Sequence, residues 1–164
     1  MPGTAMRRVR ILTLVAFLAG APWACGPGQE MSEEEAYSVV LAEAAARLDL
    51  TPPILVHPFK ARVDRTVGGN QYAMRDFLAF DTAEIHAAVR RDPGTYRVCE
   101  LTPAGACLAP LHGQWVVLSE VLDEGRNGGL VLVMVSDRRS AVRPQRFYAV
   151  RLKSGSVVRF EPVE

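Results

Sequence analysis

Leu130–Val135 is six apolar residues in a row, flanked by Gly128-Gly129 and by Ser136-Asp137. Successive side chains of a strand point to opposite faces. A run without a polar residue therefore has no face suited to water, and it reads as a central strand covered on both sides. The rest of the chain has to supply both covers. With 164 residues, 49% of them apolar, it has enough material for one domain with a real core.

The clearest helix runs from Ser32 to Leu50. Ser32 and Glu35 have the spacing of a capping box, and Glu33, Glu34 and Glu35 put negative charge at the positive end of the helix dipole. Tyr37, Val40, Leu41, Ala44 and Leu48 share one helical face, and Thr51-Pro52-Pro53 stops the helix. Asp81 and Glu84 mark a second, short helix ending near Arg91, with Ile85, Ala88 and Val89 on its buried side. Both helices read as covers for the sheet.

Strand signals fill the remainder. Ile54–Val63 looks extended, and Pro58, which lacks a ladder donor, places it at an edge or breaks it in two. Thr95–Leu101, Trp115–Leu122, Leu130–Ser136, Arg146–Lys153 and Val157–Glu161 follow. Arg126-Asn127-Gly128-Gly129 and Ser154-Gly155 are hairpin chemistry, because Gly and Asn accept positive φ. The expectation is an α+β domain over residues 32–164. An amino-terminal helix and a short helix pack on a curled antiparallel sheet of about five or six strands.

The first 24 residues read as an address. Arg7, Arg8 and Arg10 precede the apolar run Ile11–Ala21, and small residues follow, which is the order of a secretory signal. The run is too short to span a bilayer, which takes about 20 apolar residues. Arg7-Arg8 also suggests a twin-arginine signal, but Arg10 stands where that motif takes an apolar residue. Cleavage after Ala21 would leave Pro22 at the cut. Cleavage before Cys25 would leave a cysteine available for diacylglycerol, followed by a flexible tether over residues 25–31. Pro22-Trp23-Ala24-Cys25 resembles the lipobox of bacterial lipoproteins in its small residue before the cysteine. The alternative is a freely secreted chain with a spare thiol. The expectation is an exported protein of the bacterial envelope, anchored to the membrane through lipid on Cys25 and facing the periplasm or the cell exterior.

With Cys25 lipidated, Cys99 and Cys107 remain, eight positions apart across Pro103 and Gly105. Outside the cell a disulfide between them is the natural outcome. A metal pair would need two more ligands at close spacing, and a nucleophilic cysteine would need a free thiolate beside a base.

Charge excludes two function classes. The 19 basic and 18 acidic residues give +1, and taking away the three arginines of the leader leaves 16 against 18, or −2. That balance speaks against a nucleic-acid binder held by bulk electrostatics and against a polybasic membrane-surface protein. Catalytic and metal constellations are equally thin. His57, His86 and His112 have no partner at metal spacing, and no Gly-x-Ser-x-Gly, phosphate loop or Ser-x-x-Lys occurs. Ser119 and Glu120, placed mid-strand, would point to opposite faces. Asp123-Glu124 reads as a solvated turn pair. Asp137, Arg138, Arg139 and Arg143 read as a charged hairpin tip that discourages edge-to-edge pairing. No metal and no cofactor are expected.

The layout of helix, strand, short helix and strand meander resembles the nuclear-transport-factor-like (SnoaL-type) superfamily. The segments Gln114–Val121, Leu130–Val135 and Phe147–Val150 are also similar to small exported bacterial proteins, although Arg138–Val142 stands where those often carry a Cys-x-x-Cys-Gly-like segment. The resemblance implies a cone-shaped sheet, and it covers enzymes and binding modules alike. The functional expectation is a non-catalytic binding or structural module whose ligand or partner the sequence does not name. The alternative is a small-molecule enzyme with a single acid or base, such as His57, Asp81 or Glu120, in a cone-shaped pocket. A third reading is a domain that captures a partner at a sheet edge.

Overall fold

Capping chemistry sets the first element. In the computed structural model, which describes residues 31–65, 72–78, 82–105, 107–108, 114–125, 128–137 and 145–163, helix α1 spans Glu33–Arg47. The Ser32 hydroxyl accepts the Glu35 N–H and the Glu35 carboxylate accepts the Ser32 N–H, each at 3.2 Å. Two of the unpaired donors at the helix start are thereby satisfied. The helix ends three residues earlier than the sequence suggests, because Asp49 turns into the left-handed region at φ 50°. Tyr37, Val40, Leu41 and Ala44 form its buried stripe.

Pro58 does break the next segment in two, giving β1 (Ile54–Val56) and β2 (Lys60–Arg65). Strand β3 (Tyr72–Leu78) pairs antiparallel with β2 as a separate two-stranded sheet. Helix α2 spans Ala83–Arg90 and buries Ile85, Ala88 and Val89. Its N-cap is Thr82, one residue after the expected Asp81, and it makes no side-chain cap bond. Asp81 itself lies outside the described residues.

Six strands follow: β4 (Tyr96–Val98), β5 (Gln114–Leu118), β6 (Leu122–Gly125), β7 (Gly128–Asp137), β8 (Gln145–Lys153) and β9 (Ser156–Pro162). With β1 they build a seven-stranded sheet in the order β4-β1-β5-β7-β8-β9, and β6 pairs β7 as well. The fold is α+β. Three details of the sheet correct the sequence reading. It has seven strands rather than five or six. It is mixed, because β1 runs parallel to both β4 and β5. It is not strongly curled. The physical source of the mixture is β1, which inserts between β4 and β5 instead of lying at an edge.

Strand β7 has the two covers its apolar run requires. Val131, Val133 and Val135 pack with Val40, Leu41 and Ile85 under the helices. Leu130 and Leu132 face the other way and pack with Val63 and Met74 of the β2–β3 hairpin. Each fully buried valine or leucine here contributes roughly 1.5–3 kcal/mol of burial. Strand β8 alternates, with Val150 and Leu152 under the helices and Ala149 on the hairpin side. Ser154 and Gly155 close the β8–β9 hairpin with φ of 49° and 79°, the left-handed pair that a two-residue turn needs.

Candidate functional site

Strands β5 and β6 lie along the same edge of β7 and act as one strand bent at residues 119–121. Ser119 makes the bend possible. Its N–H donates to the Leu132 carbonyl at 2.9 Å, but the Leu132 N–H returns to the Ser119 hydroxyl at 2.8 Å rather than to a main-chain carbonyl. The carbonyl of Ser119 is thereby turned out of the ladder and accepts the Tyr37 hydroxyl of α1 at 3.1 Å. The Ser119 hydroxyl gives its own proton to the Glu120 carbonyl at 2.7 Å. Ser119 is fully buried, so a missing partner at any of these atoms would be costly.

Glu120 holds the opposite cover. Its N–H donates to the Ala61 carbonyl at 2.9 Å, and its carboxylate accepts the Val63 N–H at 3.0 Å. One dipeptide therefore docks α1 on one face of the sheet and the β2–β3 hairpin on the other. The mid-strand placement expected for Ser119-Glu120 is corrected: β5 ends at Leu118, and the two residues act together in structure.

A second polar cluster sits where the two helices begin. Lys60, only 2% exposed, points its ammonium at Glu33 in the first turn of α1 (2.7 Å) and Glu84 in the first turn of α2 (3.5 Å). A buried cation requires such partners. Both carboxylates are about one-third exposed and favourably placed on the helix dipoles. Arg91 adds a second tie by pairing with Glu34 at 2.8 Å. The sequence reading missed Lys60. Its signal is a lone lysine inside the apolar stretch Ile54–Val63, with acids at the start of both helices.

His57 forms a third cluster with the disulfide loop. The ring is 2% exposed. The Phe59 N–H reaches Nδ1 at 3.2 Å, and Nε2 lies 3.1 Å from the Gly105 carbonyl. Nδ1 also lies 3.2 Å from the Phe59 carbonyl, and the Gly105 carbonyl accepts from Nε2. Cys99 and Cys107 are joined in the structure, with Cα atoms 5.6 Å apart. The Cys99 N–H binds the Val56 carbonyl at 2.9 Å, which ties the loop to β1 beside His57.

The remaining candidates are scattered. His86 lies on α2, half-buried. His112, Cys25, Arg138, Arg139 and Arg143 lie outside the described residues. Asp137 is buried and accepts from Gln114, whose amide oxygen in turn accepts the Thr51 N–H. Glu124 is not merely a solvated turn residue, because it pairs with Arg151 at 2.5 Å. Tyr148 and Phe160 pack against the helix-side core, with ring centroids 5.3 Å apart. Tyr96 ionises above its usual range, first because it is buried and second because Asp92 is near.

Among the described residues, Met31, Glu35, Arg91 and Ser154 border a surface hollow of about 420 Å³, and Glu124, Arg151, Lys153 and Val158 border another of about 450 Å³. His57 and Glu120 border neither. Among the described residues no group of three His, Cys, Asp or Glu side chains is arranged to hold a metal ion. No helix among them is long and apolar enough to cross a membrane. Comparison with protein-family models, curated proteins and solved structures finds no match to this chain.

Proposed function

We propose that this chain is an exported bacterial envelope protein, held to a membrane by lipid on Cys25, that works as a non-catalytic binding or structural module. One observation carries the non-catalytic part. The polar side chains best suited to chemistry, namely His57, Lys60, Ser119 and Glu120, have their polar atoms engaged in joining strands, helices and the disulfide loop. An acid or base built for turnover keeps a reactive atom directed at a pocket. The anchor rests on the leader pattern and on the sulfur count: Cys99 and Cys107 take each other, which leaves Cys25 for lipid.

A nuclear-transport-factor-like scaffold belongs to the same proposal. Two helices on one face of a large sheet support it, although the cone of that scaffold calls for stronger curling than this sheet has. The test is the intact mass of the protein recovered from its native membrane fraction. A chain starting at Cys25 with added acyl groups is expected. A chain starting at Cys25 without lipid, or retaining Met1 in the cytosol, overturns the anchor.

A further inference from the structure

We propose that β9 is a dimerisation edge: a second copy of this chain lays its own β9 antiparallel against it, with Phe160 opposite the partner's Phe160, so that the two sheets run on as one. The proposal goes beyond the binding-module reading and does not use the anchor, since every residue it needs lies on β8, on β9 or directly after it. Of the two end strands of the seven-stranded sheet, β4 has three residues and β9 has seven. Among the described residues β9 pairs with β8 alone. Just past the strand, the Val163 N–H donates to the Phe147 carbonyl at 2.9 Å. Main-chain groups of successive residues in an antiparallel strand address alternate sides. Glu161 and Arg159 therefore also address β8, and the N–H and carbonyl of Phe160 point away from it, to the open edge. Pro162 has no N–H to give and limits the ladder at one end. At the other end Val158 has no register partner on β8, and it is 60% exposed.

Charge on an edge ordinarily discourages pairing. On β9 the signs discourage every symmetric register but one. Arg159 and Glu161 flank Phe160 on one face, joined by a 2.8 Å ion pair, yet their side chains stay 64% and 36% exposed. Residues opposite each other in an antiparallel pair share a face, so a two-fold axis between two β9 strands has to pass through a residue position. An axis at Arg159 sets that arginine against its own copy, and an axis at Glu161 does the same for the glutamate. An axis one step further out, at Val158 or Pro162, leaves Arg159 opposite the partner's Val157 or Glu161 opposite the partner's Val163. An axis at Phe160 sets Arg159 opposite the partner's Glu161 and Glu161 opposite the partner's Arg159. The four charges then form a neutral array, the two Phe160 main chains exchange both of their hydrogen bonds, and the two rings become cross-strand neighbours. Each ring already packs against the helix-side core of its own chain, which holds it in place for that contact. A strand that complements itself in this way fits a second copy of itself.

The test is native mass spectrometry of the full chain released from detergent. Wild type, R159E, E161R, an equimolar mixture of those two variants, and the R159E/E161R double variant are compared. Wild type should form dimers. Each single variant puts like charges opposite each other at both flanking positions and should dimerise about tenfold more weakly. In the mixture, two acidic side chains of one chain meet two basic ones of the other, so dimers of mixed composition should return to the wild-type level. Their return also shows that both single variants fold. The double variant exchanges the two charges and should dimerise like the wild type. Hydrogen exchange on the wild type gives a readout without mutation: the Phe160 amide should exchange faster on dilution, while the Glu161 amide, directed at β8, should not change. A wild type that stays monomeric at its highest soluble concentration overturns the proposal. So do single variants that dimerise like the wild type, or a mixture without mixed dimers. An acylated but monomeric protein would sink the edge pairing alone and leave the anchored-module reading standing.

Discussion

Ser119→Ala is the sharpest probe of the bend that joins the two covers of the sheet. The substitution removes one oxygen and leaves the backbone free to keep its path. It deprives the buried Leu132 N–H of its acceptor at 2.8 Å and the Glu120 carbonyl of its donor at 2.7 Å. A buried amide left without a partner costs about 1–3 kcal/mol, and the second loss is smaller because Glu120 is half-buried. The expected destabilisation is about 2 kcal/mol, or roughly 6–10 °C in Tm for a domain of this size. Urea unfolding should show a lower midpoint at unchanged slope. Hydrogen exchange should speed up at Leu132 before it does elsewhere on β7. Tyr37→Phe leaves the Ser119 carbonyl unpaired and should cost about 1–2 kcal/mol on its own. The double variant should lose less than the sum, because without its hydroxyl Ser119 no longer has reason to turn that carbonyl toward Tyr37. A Ser119→Ala protein within about 0.5 kcal/mol of wild type, with Leu132 exchange unchanged, would refute the hydroxyl-for-carbonyl account of the bend.

Three further outcomes follow from the structure. Lys60→Met should cost about 1–2 kcal/mol, since Glu33 is over a third exposed but the Glu84 Oε2 is buried and loses its ammonium. Glu33→Gln with Glu84→Gln should cost about 2–4 kcal/mol, since the ammonium stays buried with weakened partners; denaturant midpoints of the two proteins read the asymmetry. Ser32→Ala removes half of the capping box and should lower unfolding free energy by about 1 kcal/mol in the same assay. Tyr96 has its folded pKa raised by burial and by Asp92, so its contribution is complete below the ordinary tyrosine range near 10 and is lost as pH climbs through the raised value. Wild type should therefore lose more stability than Tyr96→Phe between about pH 9 and 11, and equal losses would count against the raised value.

What the sequence discloses and what it hides divide by range along the chain. The capping box of α1, the Ser154-Gly155 turn, the break at Pro58 and the doubly covered β7 are all legible. Each depends on residues a few positions apart, or on an apolar run that admits one environment. The parallel insertion of β1 is not legible, because Ile54–Val56 has to find Tyr96–Val98 and Trp115–Val116 far along the chain, and three residues carry too little pattern to say so. Strand β3 escapes for a related reason: Tyr-Ala-Met-Arg-Asp-Phe-Leu alternates poorly and pairs only with β2. The bend at Ser119 looks like uninterrupted strand, since a serine hydroxyl standing in for a carbonyl leaves no mark in composition. Lys60 is hidden because its partners come from two separate helices. The Cys99–Cys107 pairing is legible once export is assumed, whereas the contact of Gly105 with His57 depends on how the loop folds back.

Met31, where the described chain begins, borders the same hollow as the Ser154-Gly155 turn. The amino-terminal entry and the β8–β9 tip therefore share one pole of the molecule. Strand β7 leaves that neighbourhood at Gly128, opposite Lys153, and runs ten residues to Asp137, a span of about 30 Å. If Cys25 carries the proposed lipid, the turn-bearing pole would rest nearest the headgroups. The strand ends at Gln114, Asp137 and Gln145 would then project outward, like the far end of a mooring post, toward whatever passes through the surrounding compartment.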